Sequence, residues 1–152
     1  MNDYVLYILI RNDLPSMNVG RAAAQASHAS NAFIHEFGKR KDVKTWQKST
    51  TQGFGTAIIL SASSPVIQSV LNSCDSISEN IPIGWVVDPE YGVPVTKELF
   101  DFINKKVFSV EPLIKPDGTV VFFRSEKTCA YVFGRKSELT NVVGFLPLFP
   151  ER

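Results

Sequence analysis

Apolar residues in this chain come in short runs, separated by longer stretches where they recur every three or four positions. Residues 4–11 (YVLYILIR) form a short apolar run that ends at Asn12-Asp13, which predicts a buried strand. A loop with Pro15 follows. Asn18 is placed to cap a helix that runs to about Phe37 and stops at Gly38. A short second helix over 42–50 carries Trp46. After Gly53-Phe54-Gly55 a second strand is predicted over 56–61. Ser64-Pro65 opens the next helix, with Val66, Ile67, Val70 and Leu71 on one face. Pro82 precedes a third strand over 83–87, predicted to end at Asp88-Pro89.

The pattern then changes character. Residues 96–105 suit a helix capped by Thr96, with Leu99, Phe102 and Ile103 facing inward. Residues 107–114 and 119–124 flank Pro116-Asp117-Gly118, a strong turn signal, and predict a hairpin. Residues 128–133 (TCAYVF) predict a further strand ending at Gly134. A helix from about Ser137 to Val143 and a Pro-punctuated tail close the chain. Strands alternating with helices predict an α/β fold: a single domain over residues 1–152, built as a three-layer-like sandwich around a mixed sheet.

Within the first long helix, residues 20–29 (GRAAAQASHA) interrupt a run of small side chains with three functional groups. At about 100° per residue, Arg21, Gln25 and His28 fall on one narrow polar stripe. Ala22, Ala26, Ala29 and Phe33 form a second stripe about a quarter-turn away. Small residues let such a helix lie close to a neighbour while the polar stripe faces a ligand; an ordinary amphipathic helix with a solvated polar face is the alternative.

Composition narrows the function classes. With 152 residues, 44% hydrophobic and 20% charged, the chain is globular rather than disordered. No apolar run reaches the roughly 20 residues that span a bilayer, so no membrane partner is expected. The run at residues 4–10 reads as a buried strand and not as a signal peptide. A net charge of +1 argues against duplex binding driven by bulk charge. The densest basic run, Lys39, Arg40, Lys41 and Lys44, is either a solvated loop or a phosphate contact. Cys74 and Cys129 give neither a disulfide framework nor metal spacing, and both read as packing residues. His28 and His35 have no Cys or carboxylate cluster with them, so no metal site is expected. A cytosolic location follows from that cysteine usage.

Ligands in open α/β sheets bind at the carboxyl ends of strands. Asp13, the start of the Arg21 helix and Asp88 are all predicted to lie just after strand ends. A helix N-terminus with free backbone N–H groups and a nearby arginine suits a phosphate or a developing oxyanion. Asp88 is the candidate base, a turn residue before Pro89 being the alternative. No nucleophile elbow or Walker-type loop is present.

Three segments together resemble the type 2 (archaeal and eukaryotic-type) peptidyl-tRNA hydrolases. The first is Ile10-Arg11-Asn12-Asp13-Leu14 followed by Gly20-Arg21 and Ala23-Ala24-Gln25-Ala26-Ser27-His28-Ala29. The second is the strand ending in Val87-Asp88. The third is Thr128 to Leu148, with Gly134, Leu139, Gly144, Leu146 and Leu148 in register. The resemblance implies a compact α/β domain with a mixed, mainly four-stranded sheet, to which residues 91–125 add an inserted helix and β-hairpin. It implies hydrolysis of the ester that joins a peptide to the tRNA 3′ end, with no cofactor. By this resemblance Arg21, Asp88 and Thr128 are the catalytic candidates: Asp88 orients or deprotonates water, Arg21 stabilises the oxyanion, and Thr128 holds the water or the ester. Asp13, Gly20, Gln25 and His28 are the substrate-binding candidates, loop capping being the alternative for Asp13 and packing for Gln25 and His28.

The chain also departs from the family pattern. Arg21 stands where the family has lysine, and arginine keeps its proton. Pro-Glu-Tyr-Gly follows Asp88 in place of Ala-Gly-x-Thr. Val19 sits where the family has a lysine. These changes keep a second reading open: a non-catalytic module on the same fold that binds tRNA ends, nucleotides or a protein. The insertion offers a surface for a homodimer or another protein partner.

Overall fold

The structure is a computed structural model that describes residues 2–95 and 113–150. Its first strand, β1 (Tyr4–Arg11), is buried along nearly its whole length and therefore sits centrally in the sheet. The chain continues through α1 (Val19–Phe37), α2 (Lys41–Gln47), β2 (Ala57–Ala62) and α3 (Ser64–Ile77). After these come β3 (Ile83–Val95), β4 (Leu113–Ile114), β5 (Val120–Arg135) and α4 (Lys136–Val143). The sheet order is β2-β1-β5-β3, with β4 paired to β5. β1 runs parallel to β2, with Leu6 opposite Ala57 and Arg11 opposite Ala62. It runs antiparallel to β5, with Tyr4 opposite Arg135 and Ile10 opposite Cys129. The sheet is therefore mixed, as the sequence predicts.

The contacts divide into two compact units, one formed by residues 1–86 with 128–152 and the other by residues 87–127. In the first, the two-residue period of β1 separates two cores. Val5, Tyr7 and Leu9 pack with Ile67, Val70, Leu71 and Cys74 of α3 and with Leu139, Val142 and Val143 of α4. Leu6, Ile8 and Ile10 face the other way, onto Ala22, Ala26, Ala29 and Phe33 of α1 and Val43 and Trp46 of α2. Helices thus cover both faces, giving the three layers expected. Phe33, wholly buried, meets Trp46 edge-on at 5.8 Å and Phe133 at 4.9 Å between ring centroids. Burying such a side chain contributes about 1.5–3 kcal/mol. The alanines of α1 are what let its backbone approach the sheet around this ring.

The Pro-punctuated tail lies along the outer edge of β2. Ser61 donates its N–H to Pro147 O at 2.9 Å, and Phe149 donates to Ile59 O at 3.1 Å. This covers backbone groups that an edge strand leaves unpaired.

The second unit holds residues 87–95 of β3, β4, and residues 120–127 of β5. Val120 and Phe122 are buried, with Val95 against them. The turn at Pro116-Asp117-Gly118 forms as predicted. Gly118 adopts φ +84°, a conformation suited to glycine, and Lys115 N–H donates to Thr119 O at 2.8 Å. The expected helix over 96–105 and hairpin residues 107–112 lie outside the described residues.

Two boundaries differ from expectation. β3 does not stop at Asp88-Pro89 but continues to Val95, so Asp88 sits inside a strand rather than just after one. β3 ends the strand order, and a terminal strand tolerates proline better than a central one does. Residues 119–124 and 128–133 are not separate strands either; β5 runs unbroken from Val120 to Arg135. The polar stretch Arg124–Lys127, which includes the gap between the two expected strands, is a largely exposed part of β5. Arg124 and Glu126, two apart and so on one face, pair there at 2.7 Å.

Candidate functional site

The start of α1 is built by Asn18, whose extended backbone and side chain cap the helix: its Oδ1 accepts from Arg21 N–H at 2.9 Å. This fixes Gly20 and Arg21 in the first turn. No acidic residue lies in that turn, so the positive end of the helix and the half-buried Arg21 act with the same sign.

A cleft of about 370 Å³ opens beside this helix start. Arg11 and Asn12 at the end of β1, Ser61 of β2, Asn18 and Val19 of α1 and Phe149 of the tail contribute to its walls. It therefore lies at the carboxyl ends of two parallel strands, where an α/β sheet presents its ligands. The tail's contribution was not legible in the sequence, because it depends on the tail pairing with β2.

Asp13 follows β1 directly, and Arg11 grips its carboxylate through Nε at 2.8 Å and Nη2 at 3.1 Å. The same carboxylate accepts Ser64 N–H from the first turn of α3 at 3.2 Å. The Arg11 hydrogen bond, assisted by that of Ser64 and opposed by partial burial, holds Asp13 below the usual carboxylate range. Asp13 is not among the cleft-lining residues; its contacts fasten the β1 end to α3, and Arg11 is the member of the pair that reaches the cleft. The Arg-x-Asp spacing is the sequence signal for this fork. It recurs at Arg40 and Asp42 and, with glutamate, at Arg124 and Glu126.

The polar stripe of α1 divides. His28 is exposed, about 10 Å along the helix axis from Arg21 at 1.5 Å per residue. Gln25 is only 3% exposed, because its direction lies about 40° from that of the buried Ala29. Thr128, wholly buried at the start of the β5 segment in the same unit, donates its hydroxyl to Gln25 Oε1 at 2.5 Å. The Cys129 thiol lies 3.4 Å from the Gln25 carbonyl oxygen. The structure thus brings Gln25 and Thr128 together in the interior and leaves His28 exposed. Cys74 is buried against α4, and desolvation pushes its thiol up to about 11, a packing residue by chemistry as well as position.

Asp88 belongs to the second unit. It is half-buried within β3, and its Oδ1 accepts Glu90 N–H at 2.9 Å. Among the described residues no group of three His, Cys, Asp or Glu side chains is arranged to hold a metal ion. No helix among them is long and apolar enough to cross a membrane.

The model of the family described as peptidyl-tRNA hydrolase PTH2 matches residues 4–75. That stretch contains β1, the Arg11–Asp13 fork, the capped start of α1 with Arg21, β2 and nearly all of α3; Asp88 and Thr128 follow it. A search of curated proteins finds no match. Over residues 4–75, just under half of its length, the chain is thus similar to the peptidyl-tRNA hydrolase PTH2 family.

Proposed function

We propose that this protein hydrolyses the ester bond of peptidyl-tRNA, or of a closely related aminoacyl or peptidyl ester. The observation that carries this reading is that the family match contains the helix start bearing Arg21 and most of the cleft beside it. The partner is then the tRNA 3′ end, and the cytoplasm is the compartment where that substrate occurs.

In this reading Asp88 takes a proton from water, and the water oxygen forms a bond to the ester carbonyl carbon. The carbonyl oxygen gains charge, which Arg21 and backbone N–H groups at the start of α1 offset. The acyl C–O bond then breaks, and the proton passes to the departing ribose oxygen. The role of Asp88 is supported by its place at the end of the family-like segment closing in Val87-Asp88. Arg21 contributes charge alone, since a guanidinium does not give up its proton at neutral pH. Gly20 gives the helix start a residue with no side chain near the substrate.

We assign Thr128 and Gln25 to positioning. Their hydroxyl-to-amide bond is buried, and it ties α1 to β5 about one helical turn along from Arg21. Asp13 acts through Arg11 in the same way. His28 is a candidate for contact with a more distant part of the tRNA, since it is exposed on α1.

The lysine-to-arginine change at Arg21 and the Pro-Glu-Tyr-Gly sequence after Asp88 favour one alternative, a module that binds tRNA ends without cleaving them. Release of free tRNA from purified peptidyl-tRNA, compared between wild type and Asp88→Ala, separates the two. Hydrolysis requires wild type to exceed buffer and Asp88→Ala to fall towards it; rates equal to buffer for both, with tRNA still bound, select the binding module.

A further inference from the structure

At the other end of β1 from the Arg11 cleft, about 23 Å away at about 3.3 Å per residue, lies a second concavity. A cavity of about 610 Å³ there is lined by Tyr4, Arg40, Lys41, Asp42, Thr45 and Arg135. All six belong to the first unit.

The cations are held in different ways. Asp42 grips Arg40 through Nε at 3.1 Å and Nη2 at 2.8 Å, and Arg40 Nη1 donates to Asn80 O at 2.8 Å. The guanidinium is thereby fixed, with two of its five N–H bonds lacking an acceptor among the described residues. Arg135 lies directly across the ladder from Tyr4, and its guanidinium sits 4.8 Å from the Tyr4 ring centroid. Tyr4 is itself stacked on the buried Phe133 at 5.6 Å, with the ring planes 13° apart. A cation–π contact of this kind orders the Arg135 side chain without neutralising it. Among the described residues, neither Arg135 nor Lys41 has a carboxylate within ion-pair distance.

The single acid in the lining, Asp42, is engaged by Arg40. Two positive charges therefore remain uncompensated in one concavity of a chain whose net charge is only +1. Ordered, planar N–H donors beside a lysine suit phosphate oxygens. Two cations carried by separate elements, α2 and the end of β5, suit the repeated charges of a backbone.

We propose that this cleft binds a phosphate group of an RNA backbone, remote from the cleft at the start of α1. The choice of RNA rests on the proposed function; the phosphate chemistry rests on the cleft alone. A small phosphorylated molecule offers the same chemistry, so the test uses two probes, deacylated tRNA and inorganic phosphate. Neither requires ester cleavage, so the outcome is independent of whether the protein is a hydrolase.

In the full chain, Lys41→Gln with Arg135→Gln is expected to weaken deacylated tRNA binding by about tenfold. It should also reduce the steepness of the salt dependence by about two. Arg135→Lys, which keeps the charge, restores most of the affinity to a Lys41-intact chain. Inorganic phosphate is expected to shift the NMR signals of Tyr4 and Arg135 in wild type and not in the double variant. If phosphate shifts these signals but tRNA affinity and its salt dependence are unchanged, the RNA assignment is overturned in favour of a small phosphorylated ligand. If neither probe responds, with thermal unfolding showing the double variant folded, the site itself is overturned.

Discussion

The hydroxyl of Thr128 donates to Oε1 of Gln25 across 2.5 Å, between two side chains that sequence places 103 positions apart and the fold buries together. A buried hydroxyl–amide pair is costly to halve. Thr128→Val is expected to destabilise the protein by about 1–3 kcal/mol, because a methyl takes the place of the donor facing a buried amide oxygen. Thr128→Ser keeps the donor and loses about 1 kcal/mol or less of this. Combining Thr128→Val with Gln25→Met should cost less than the sum of the single changes, with a coupling of about 1 kcal/mol. Urea unfolding of the four chains reads this directly; strict additivity removes the pair from the account.

Asp13 sets an acid dependence. Its carboxyl is held below its usual value by Arg11 first and by the Ser64 N–H in addition. A carboxylate whose folded pKa is lowered contributes stability above its unfolded pKa of about 3.9, and that contribution is lost as pH falls through the folded value. Denaturant midpoints of wild type and Asp13→Asn should therefore differ most above about pH 5 and converge in stronger acid. A constant difference across that range would show that the charge is not what matters.

Gly55 is tied to one aromatic ring. A Cβ there would lie 2.3 Å from Trp46 Cδ1 and 2.5 Å from the Trp46 carbonyl oxygen. Trp46 has little room to move, since its Nε1 donates to Thr56 O at 2.9 Å and its ring packs on Phe33 and Phe133. Gly55→Ala is expected to cost about 1–3 kcal/mol, the range for forcing atoms into a packed core, with loss of Trp46 fluorescence anisotropy as the local signature. An unchanged melting temperature would contradict this packing.

Much of this was legible in the sequence because the relevant signals are local. The apolar run of β1, the Asn18 cap, the Pro at the start of α3 and the glycine turn at Gly118 each act within a few residues. What the sequence misjudged depended on neighbours. Pro89 ends a central strand but not a terminal one, so β3 ran past Asp88. Strands were expected over 119–124 and 128–133 with a gap between them, yet Arg124 and Glu126, opposite in sign and two apart, pair along one continuous strand. At the site, Arg21 was visible as a charge at a helix start. Gln25 was read as part of an open polar stripe, because only its partner, Thr128, distant in sequence, shows that it turns inward.

Arg21 supplies charge in this account and no proton. Arg21→Ala is therefore expected to lower kcat for peptidyl-tRNA by about 10²–10³, the effect of removing one oxyanion donor. Arg21→Lys should retain much of the rate near neutral pH and lose it at high pH, as an amine of ordinary pKa near 10.4 deprotonates. A wild-type rate that itself falls over that range in step with Arg21→Lys would contradict a purely electrostatic role.

The central claim is ester hydrolysis, and single-turnover release of tRNA from purified peptidyl-tRNA tests it most directly. Wild-type protein in excess over substrate should release tRNA well above the buffer rate, and Arg21→Ala and Asp88→Ala should each remove most of that excess. A wild-type rate equal to buffer, at protein concentrations that saturate tRNA binding, would contradict it.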